Sequence, residues 1–139
     1  MLELEVTESA VMENSGRAAS QLAALDEAGV HLAIDDFGTG YSSLSYLQRL
    51  PAKVVKIDQS FVRDLAEGDR EQALVRSMIS LSHDLDYRVV AEGIETKEAA
   101  QILTQLGCDE GQGYFFARPL ELANFELWLD CQKDARVAA

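Results

Sequence analysis

Three carboxylates and one ammonium stand out because each follows a short apolar run. Glu5 follows Leu4, Asp35 follows Ile34, Lys56 follows Val54-Val55, and Glu92 follows Val89-Val90-Ala91. Alternate residues of a strand share a face. That places Ala33 with Asp35, Val54 with Lys56 and Asp58, and Val90 with Glu92, while Glu5 sits opposite Leu2, Leu4 and Val6. A charge at the end of a buried strand is costly unless it is paired or metal-bound. One such residue is explained by a buried ion pair. Four of them, three acidic and one basic, point to a shared site at the carboxyl ends of parallel strands, where α/β folds place their chemistry.

The densest segment is Asp35-Asp36-Phe37-Gly38-Thr39-Gly40-Tyr41-Ser42-Ser43. Adjacent strand residues face opposite ways, so both carboxylates serve one place only if the backbone turns, and Gly38 and Gly40 permit a turn. Asp35 bridging two cations, with Asp36 on the second, would suit Mg²⁺ or Mn²⁺. The alternative is an Asx turn capping the helix that follows. Glu8 either caps the next helix or holds a neighbouring loop. Glu95 is a helix-start charge or a supporting group behind Glu92. His31 and His83 lie away from strand ends and read as structural, as do the thiols of Cys108 and Cys131.

Positioning these groups requires alternating strands and helices. Apolar runs at 2–6, 30–34, 54–57, 88–91 and 112–116 read as strands. Helices are expected at 16–28, at 42–50 before Pro51, from Asp69 with Gln72 as its capping-box partner, from Thr96 to Gly107, and at 124–133. The stripe of the helix from Asp69 reads as Leu74, Met78, Leu81 and Leu85. Phe115 and Phe116 are expected to pack the last strand, and Trp128 a core or interface. Five β-then-α units mean parallel strands with right-handed crossovers, in a doubly wound sheet or part of a barrel. A (β/α) barrel takes eight units and roughly 250 residues, so this chain supplies about five-eighths of one.

The 139 residues carry a net charge of −12 and 47% hydrophobic residues. That charge argues against a broad surface for DNA or RNA, which needs clustered Lys and Arg. No apolar run is long enough to span a bilayer, and the acidic N-terminus lacks the basic region of a signal peptide. The expected location is cytoplasmic, with no membrane contact by this segment.

Five segments, in order, resemble EAL domains: Leu4-Glu5-Val6-Thr7-Glu8-Ser9, the Asp-Asp-Phe-Gly loop from Asp35 to Ser43, Val55-Lys56-Ile57-Asp58, Ala91-Glu92-Gly93-Ile94-Glu95, and Gln112-Gly113-Tyr114 followed by Pro119. The resemblance implies an α/β fold, a partial TIM-like barrel of about five β/α units of a modified eight-stranded barrel. It implies Mg²⁺- or Mn²⁺-dependent hydrolysis of cyclic di-GMP to the linear dinucleotide pGpG in bacterial second-messenger signalling. By position, Glu5, Asp35 and Asp36 look like metal ligands. Lys56 resembles the lysine that orients the attacking water, Glu92 a metal ligand or general base, and Gln112 a support for the water. Glu8 resembles the anchor of the loop formed by Phe37, Gly38, Thr39 and Gly40, which also contributes to dimerisation, with Asp58 and Glu95 as supporting groups.

The Glu-Ala-Leu signature and an Asn metal ligand, which precede the Glu5 segment in the family, are not among these residues. Residues 1–139 are therefore expected to be the C-terminal part of one EAL-type domain, with no second domain. Alone, the chain is expected to be inactive, to self-associate, or to pair with a complementary N-terminal fragment. A sensor or GGDEF-type domain upstream is compatible with this reading. A catalytically inactive cyclic di-GMP receptor and a regulatory interaction module remain the alternatives.

Overall fold

The structure, a computed structural model, describes residues 2–13, 15–40 and 44–137. Tyr41, Ser42 and Ser43 of the glycine-rich segment, and so the start of the helix expected at 42–50, lie outside the described residues. Five strands form one parallel sheet: β1 (Glu3–Thr7), β2 (His31–Phe37), β3 (Val54–Ile57), β4 (Arg88–Ala91) and β5 (Glu110–Gly111). The spatial order is β1-β2-β3-β4-β5. A doubly wound sheet reverses its strand order at a switch point, whereas a barrel winds in one direction. The unbroken order is barrel winding.

Between the strands lie α1 (Glu8–Glu13), α2 (Ser15–Glu27), α3 (Leu44–Leu47), α4 (Gln59–Arg63), α5 (Asp69–Asp84) and α6 (Lys97–Gln105), with α7 (Leu122–Val137) at the end. The middle strands are apolar on both faces, as parallel strands covered by helices must be. Leu32, Ile34, Val55, Ile57, Val89 and Ala91 are buried in one cluster with Val75 and Ile79 of α5 and Leu103 of α6. Edge strand β1 differs, with Leu2 and Leu4 exposed.

Several expected elements shift. The buried stripe of α5 is Val75, Met78, Ile79 and Ser82, and Leu74 is half-exposed. Ser82 occupies a core position because its hydroxyl donates to Met78 O at 2.8 Å, an internal satisfaction that a hydropathy pattern does not register. Asp69 is the first helical residue of α5, Gly68 is its N-cap, and no side chain caps it. Asp69 and Glu71 instead place negative charge at the positive end of the helix. Thr96 does cap α6, accepting from Ala99 N–H at 3.1 Å.

The last strand is the largest difference. Pairing stops at Gly111, and residues 112–116 turn instead of extending. Phe115 N–H donates to Ile94 O and Phe116 N–H to Gly113 O, which bends the chain over the β4 end. Phe115 and Phe116 are consequently part-exposed, with ring centroids 5.2 Å apart and edge to face. Helix α7 is longer than expected and carries Trp128 stacked on Phe125 at 6.2 Å.

Candidate functional site

Register alone brings most of the charged groups to one face. Glu5 pairs with Ala33, Ala33 with Val54, and Lys56 with Val90. Paired residues of neighbouring strands share a face, and so do residues two apart. Glu5, Ala33, Val54, Lys56, Val90 and Glu92 therefore line one side of the sheet, with the charges displaced towards its carboxyl edge.

Lys56 sits at the centre. Its Nζ lies 2.5 Å from Glu5 Oε1 and 2.5 Å from Glu92 Oε1, and its side chain is 8% exposed. Glu5 is two strands away, so this contact crosses β2. Ala33, fully buried in the register position beside Glu5, leaves room for the lysine to pass. Burial depresses the ammonium pKa, but hydrogen bonds and charge from Glu5 and Glu92 outweigh it, and Lys56 is pushed up to about 12. It is a fixed cation at neutral pH, held by two carboxylates that remain partly open to solvent. Glu92 itself is set by its backbone, whose N–H donates to Ile57 O at 3.1 Å.

Asp35 and Asp36 solve the problem of adjacent residues facing apart by a bulge. Between Ile34 and Phe37, β2 advances three residues while β3 advances two, from Val55 to Ile57. A bulge re-aims side chains in this way. The turn falls on Asp36 itself, at φ 55°, a left-handed conformation that Asp tolerates better than most residues. Asp36 N–H donates to Asp35 Oδ1 at 2.9 Å, and Thr39 donates to Asp36 O through its N–H and, at 2.8 Å, its hydroxyl. The Asp36 carboxyl is raised above the usual range by desolvation and then by the charges of Asp35 and Asp58, with Lys56 opposing.

Glu8, the first residue of α1, is buried. Its Oε2 accepts from Gly38 N–H at 2.9 Å and from Gly40 N–H at 3.4 Å. It thus ties the loop after Asp36 to α1. Phe37 is buried in the core, and Thr39 belongs to the turn.

Asp58 is engaged locally. It is the N-cap of α4, accepting from Ser60 N–H at 2.9 Å and Ser60 Oγ at 2.5 Å, bonds that hold its carboxyl below the usual range. Glu95 is exposed and precedes the Thr96 cap. Gln112 follows β5. Its N–H donates to Ala91 O at 2.8 Å, and its carbonyl accepts from Ile94 N–H at 3.0 Å. Gln59, Glu92, Gly93, Glu95, Gln112 and Tyr114 line a polar cavity of 260 Å³. Gln59 enters from the start of α4 and carries no motif that marks it in sequence.

The donors Glu5, Asp35 and Asp36 are all oxygen, the chemistry of a hard divalent cation. The Asp36 carboxyl is raised first by desolvation and then by the charge of Asp35, and the all-oxygen chemistry of the set fits such a cation. Among the described residues, no three His, Cys, Asp or Glu side chains converge on one point. His83 is remote from this edge and bonds Asp109 at 2.8 Å. His31 is exposed at the opposite, amino end of β2.

Parallel barrel winding with an acidic, lysine-centred cluster at the strand ends defines a class of strand-end enzyme-like sites. The EAL domain profile matches residues 1–119. A cyclic di-GMP phosphodiesterase of Pseudomonas aeruginosa is 47% identical over 128 residues, covering 92% of this chain and 22% of that protein. An uncharacterised protein of Azorhizobium caulinodans is 53% identical over 116 residues, 84% of this chain and 16% of that one. Among solved structures, the PaMucR phosphodiesterase in complex with cyclic di-GMP superposes with a TM-score of 0.85 at 44% identity, covering 89% of this chain and 50% of that one. The EAL domain of Mycobacterium smegmatis DcpA gives 0.83 at 40%, covering 92% and 57%. The chain belongs to the EAL domain family, and its sheet is part of that family's TIM-like barrel. It spans about half of these solved EAL chains and a smaller share of the curated relatives.

Proposed function

We propose that this chain supplies the strand-end groups of a site that hydrolyses cyclic di-GMP to a linear dinucleotide. The observation that carries the reading is Lys56 held between Glu5 and Glu92 on the face that also carries Asp35. The printed functions of the relatives support the substrate.

In this reading Asp35, Asp36 and Glu5 hold Mg²⁺ or Mn²⁺. A divalent cation there supplies a water of lowered pKa and neutralises charge building on the phosphodiester. Lys56 is a permanent donor that orients the attacking water and faces the developing negative charge. Glu92, hydrogen-bonded to Lys56 and part-exposed, accepts the water's proton. Gln112 holds the water from the β5 side. Glu8 keeps the Asp36 loop in place.

We place the protein in the cytoplasm, and we expect it to work as a homo-oligomer or with further segments completing the barrel. No helix among the described residues is long and apolar enough to cross a membrane.

The test is to incubate the protein, as its gene encodes it, with cyclic di-GMP and Mn²⁺ and to separate the products chromatographically. Appearance of pGpG supports the reading. Calorimetric binding without turnover would make the protein a receptor, and neither binding nor turnover would remove cyclic di-GMP as its ligand.

A further inference from the structure

The strand ends that carry Lys56, Glu92 and Gln112 meet through two glycines packed closer than any side chain allows. A Cβ on Gly113 would lie 2.1 Å from Ile94 O, 2.3 Å from Ile94 N and 2.7 Å from Ile94 C. These are backbone atoms of a buried residue, and they cannot move aside cheaply. Three hydrogen bonds surround the contact: Gln112 N–H to Ala91 O, Ile94 N–H to Gln112 O, and Phe115 N–H to Ile94 O. On the other side, a Cβ on Gly93 would lie 2.4 Å from Gln59 Cβ and 3.2 Å from Gln59 Cα. Gln59 opens α4, directly after β3 and Asp58.

We propose that Gly93 and Gly113 are positioning residues: they interlock the β3, β4 and β5 ends and so set the spacing of Lys56, Glu92 and Gln112. Glu92 precedes Gly93, and Gln112 precedes Gly113. A displacement at either contact is therefore passed along one peptide unit to a site residue. The proposal rests on the hydrolytic reading above, and it gives the two glycines a positioning role through the backbone.

The glycines also provide their own control. Gly107 has φ 84° but nothing within 4 Å of its would-be Cβ. Gly107→Ala therefore carries left-handed strain without a clash. Gly93, at φ 69°, carries both strain and clash, whereas Gly113 carries a clash with no positive φ.

The experiment compares Gly93→Ala, Gly113→Ala and Gly107→Ala in the protein as its gene encodes it. Two readouts are used: steady-state hydrolysis of cyclic di-GMP in Mn²⁺ per folded molecule, and hydrogen exchange at the Ile94 and Gln112 amides. A misplacement on the scale of an ångström lowers kcat by about 10²-fold. Both interlock variants are expected to show such a loss with KM within about 2-fold, and exchange at the two amides should accelerate at least about 10-fold in Gly113→Ala. Gly107→Ala should retain wild-type kcat and exchange. Should Gly113→Ala fail to fold, Gly93→Ala decides, through its kcat and its exchange at the Ile94 amide, each read against Gly107→Ala. A kcat loss in Gly107→Ala matching that of Gly93→Ala, or unchanged exchange in folded Gly113→Ala, overturns the proposal. A wild-type kcat in folded Gly93→Ala overturns it too. Absence of turnover in the wild type removes the hydrolytic reading instead, and amide exchange then still decides whether the interlock exists.

Discussion

Lys56 is the residue on which the electrostatics of the site turn. Two carboxylates from different strands hold one buried ammonium, and removing the cation leaves Glu5 and Glu92 facing each other. Because the reading assigns Lys56 to the water, Lys56→Met should lower kcat by about 10²-fold, the scale for one preorganised charge, while leaving the Mn²⁺ concentration at half-saturation unchanged. Steady-state kinetics across a Mn²⁺ series checks this. Weakened Mn²⁺ dependence with normal saturated turnover would transfer Lys56 to the cation side. Glu8 acts differently, through the backbone. Glu8→Ala leaves the N–H groups of Gly38 and Gly40 without their carboxylate. A charge-assisted bond contributes about 1.5–3 kcal/mol, and the second one here is long at 3.4 Å, so denaturant unfolding should show a loss of about 2–3 kcal/mol. A loss below about 0.5 kcal/mol would mean that the loop is held from elsewhere.

Among the elements, β4 and its neighbours carry three groups that hold protons more tightly when folded. Burial pushes the Cys108 thiol from 9.0 up to about 11 and the Tyr87 hydroxyl from 10.0 up to about 12, and Lys56 rises from 10.5 to about 12. Each pKa is higher folded than unfolded. Between the two values the native state binds more protons, and stability falls as pH rises. Thermal unfolding should therefore weaken progressively from pH 9 upward, with Cys108→Ala delaying the onset towards pH 10. A midpoint flat to pH 11 would contradict the burial of these groups. The same burial should make Cys108 at least about 10-fold slower than exposed Cys131 towards iodoacetamide at pH 8.

The elements also show what a sequence can carry. The four strands that bring Glu5, Asp35, Lys56 and Glu92 towards their carboxyl ends were legible because each charge follows a short apolar run. The Thr96 cap was legible because it is local. The bulge at Asp36 was not, since its cause is the pairing of Phe37 with Ile57 on another strand. Nor was the turn after Gly111, where an apolar run extends in sequence but the close approach of Gly113 to Ile94 bends it. The Glu5–Lys56 contact depends on Ala33 being small in the intervening strand, which no linear pattern displays. What stayed hidden was long-range contact, and what showed was local chemistry.

At the scale of the whole chain, two features oppose each other. The net charge of −12 favours dispersed molecules. Against it, β1 borders the sheet with Leu2 and Leu4 exposed, beside an apolar groove lined by Val6, Ala10, Ala18, Leu22 and Leu25. An unpaired parallel edge with apolar flanks drives association. The 139-residue chain by itself is expected to elute above its 15.3 kDa monomer mass in light-scattering chromatography, increasingly so in high salt, where its charge repulsion is screened. A monodisperse monomer at every salt concentration would show that the β1 face is covered within the chain.

The central claim is that the bulged Asp35–Asp36 pair and the Lys56 triad form one hydrolytic site. The most direct measurement is the rate of cyclic di-GMP hydrolysis in saturating Mn²⁺ by the gene-encoded protein and its Asp35→Asn variant. Asp35→Asn removes one carboxylate charge with little change of shape. The wild type is expected to form pGpG, and the variant to lose at least about 10²-fold in kcat, with its fold intact by circular dichroism. Turnover in the variant within about 2-fold of the wild type would contradict it.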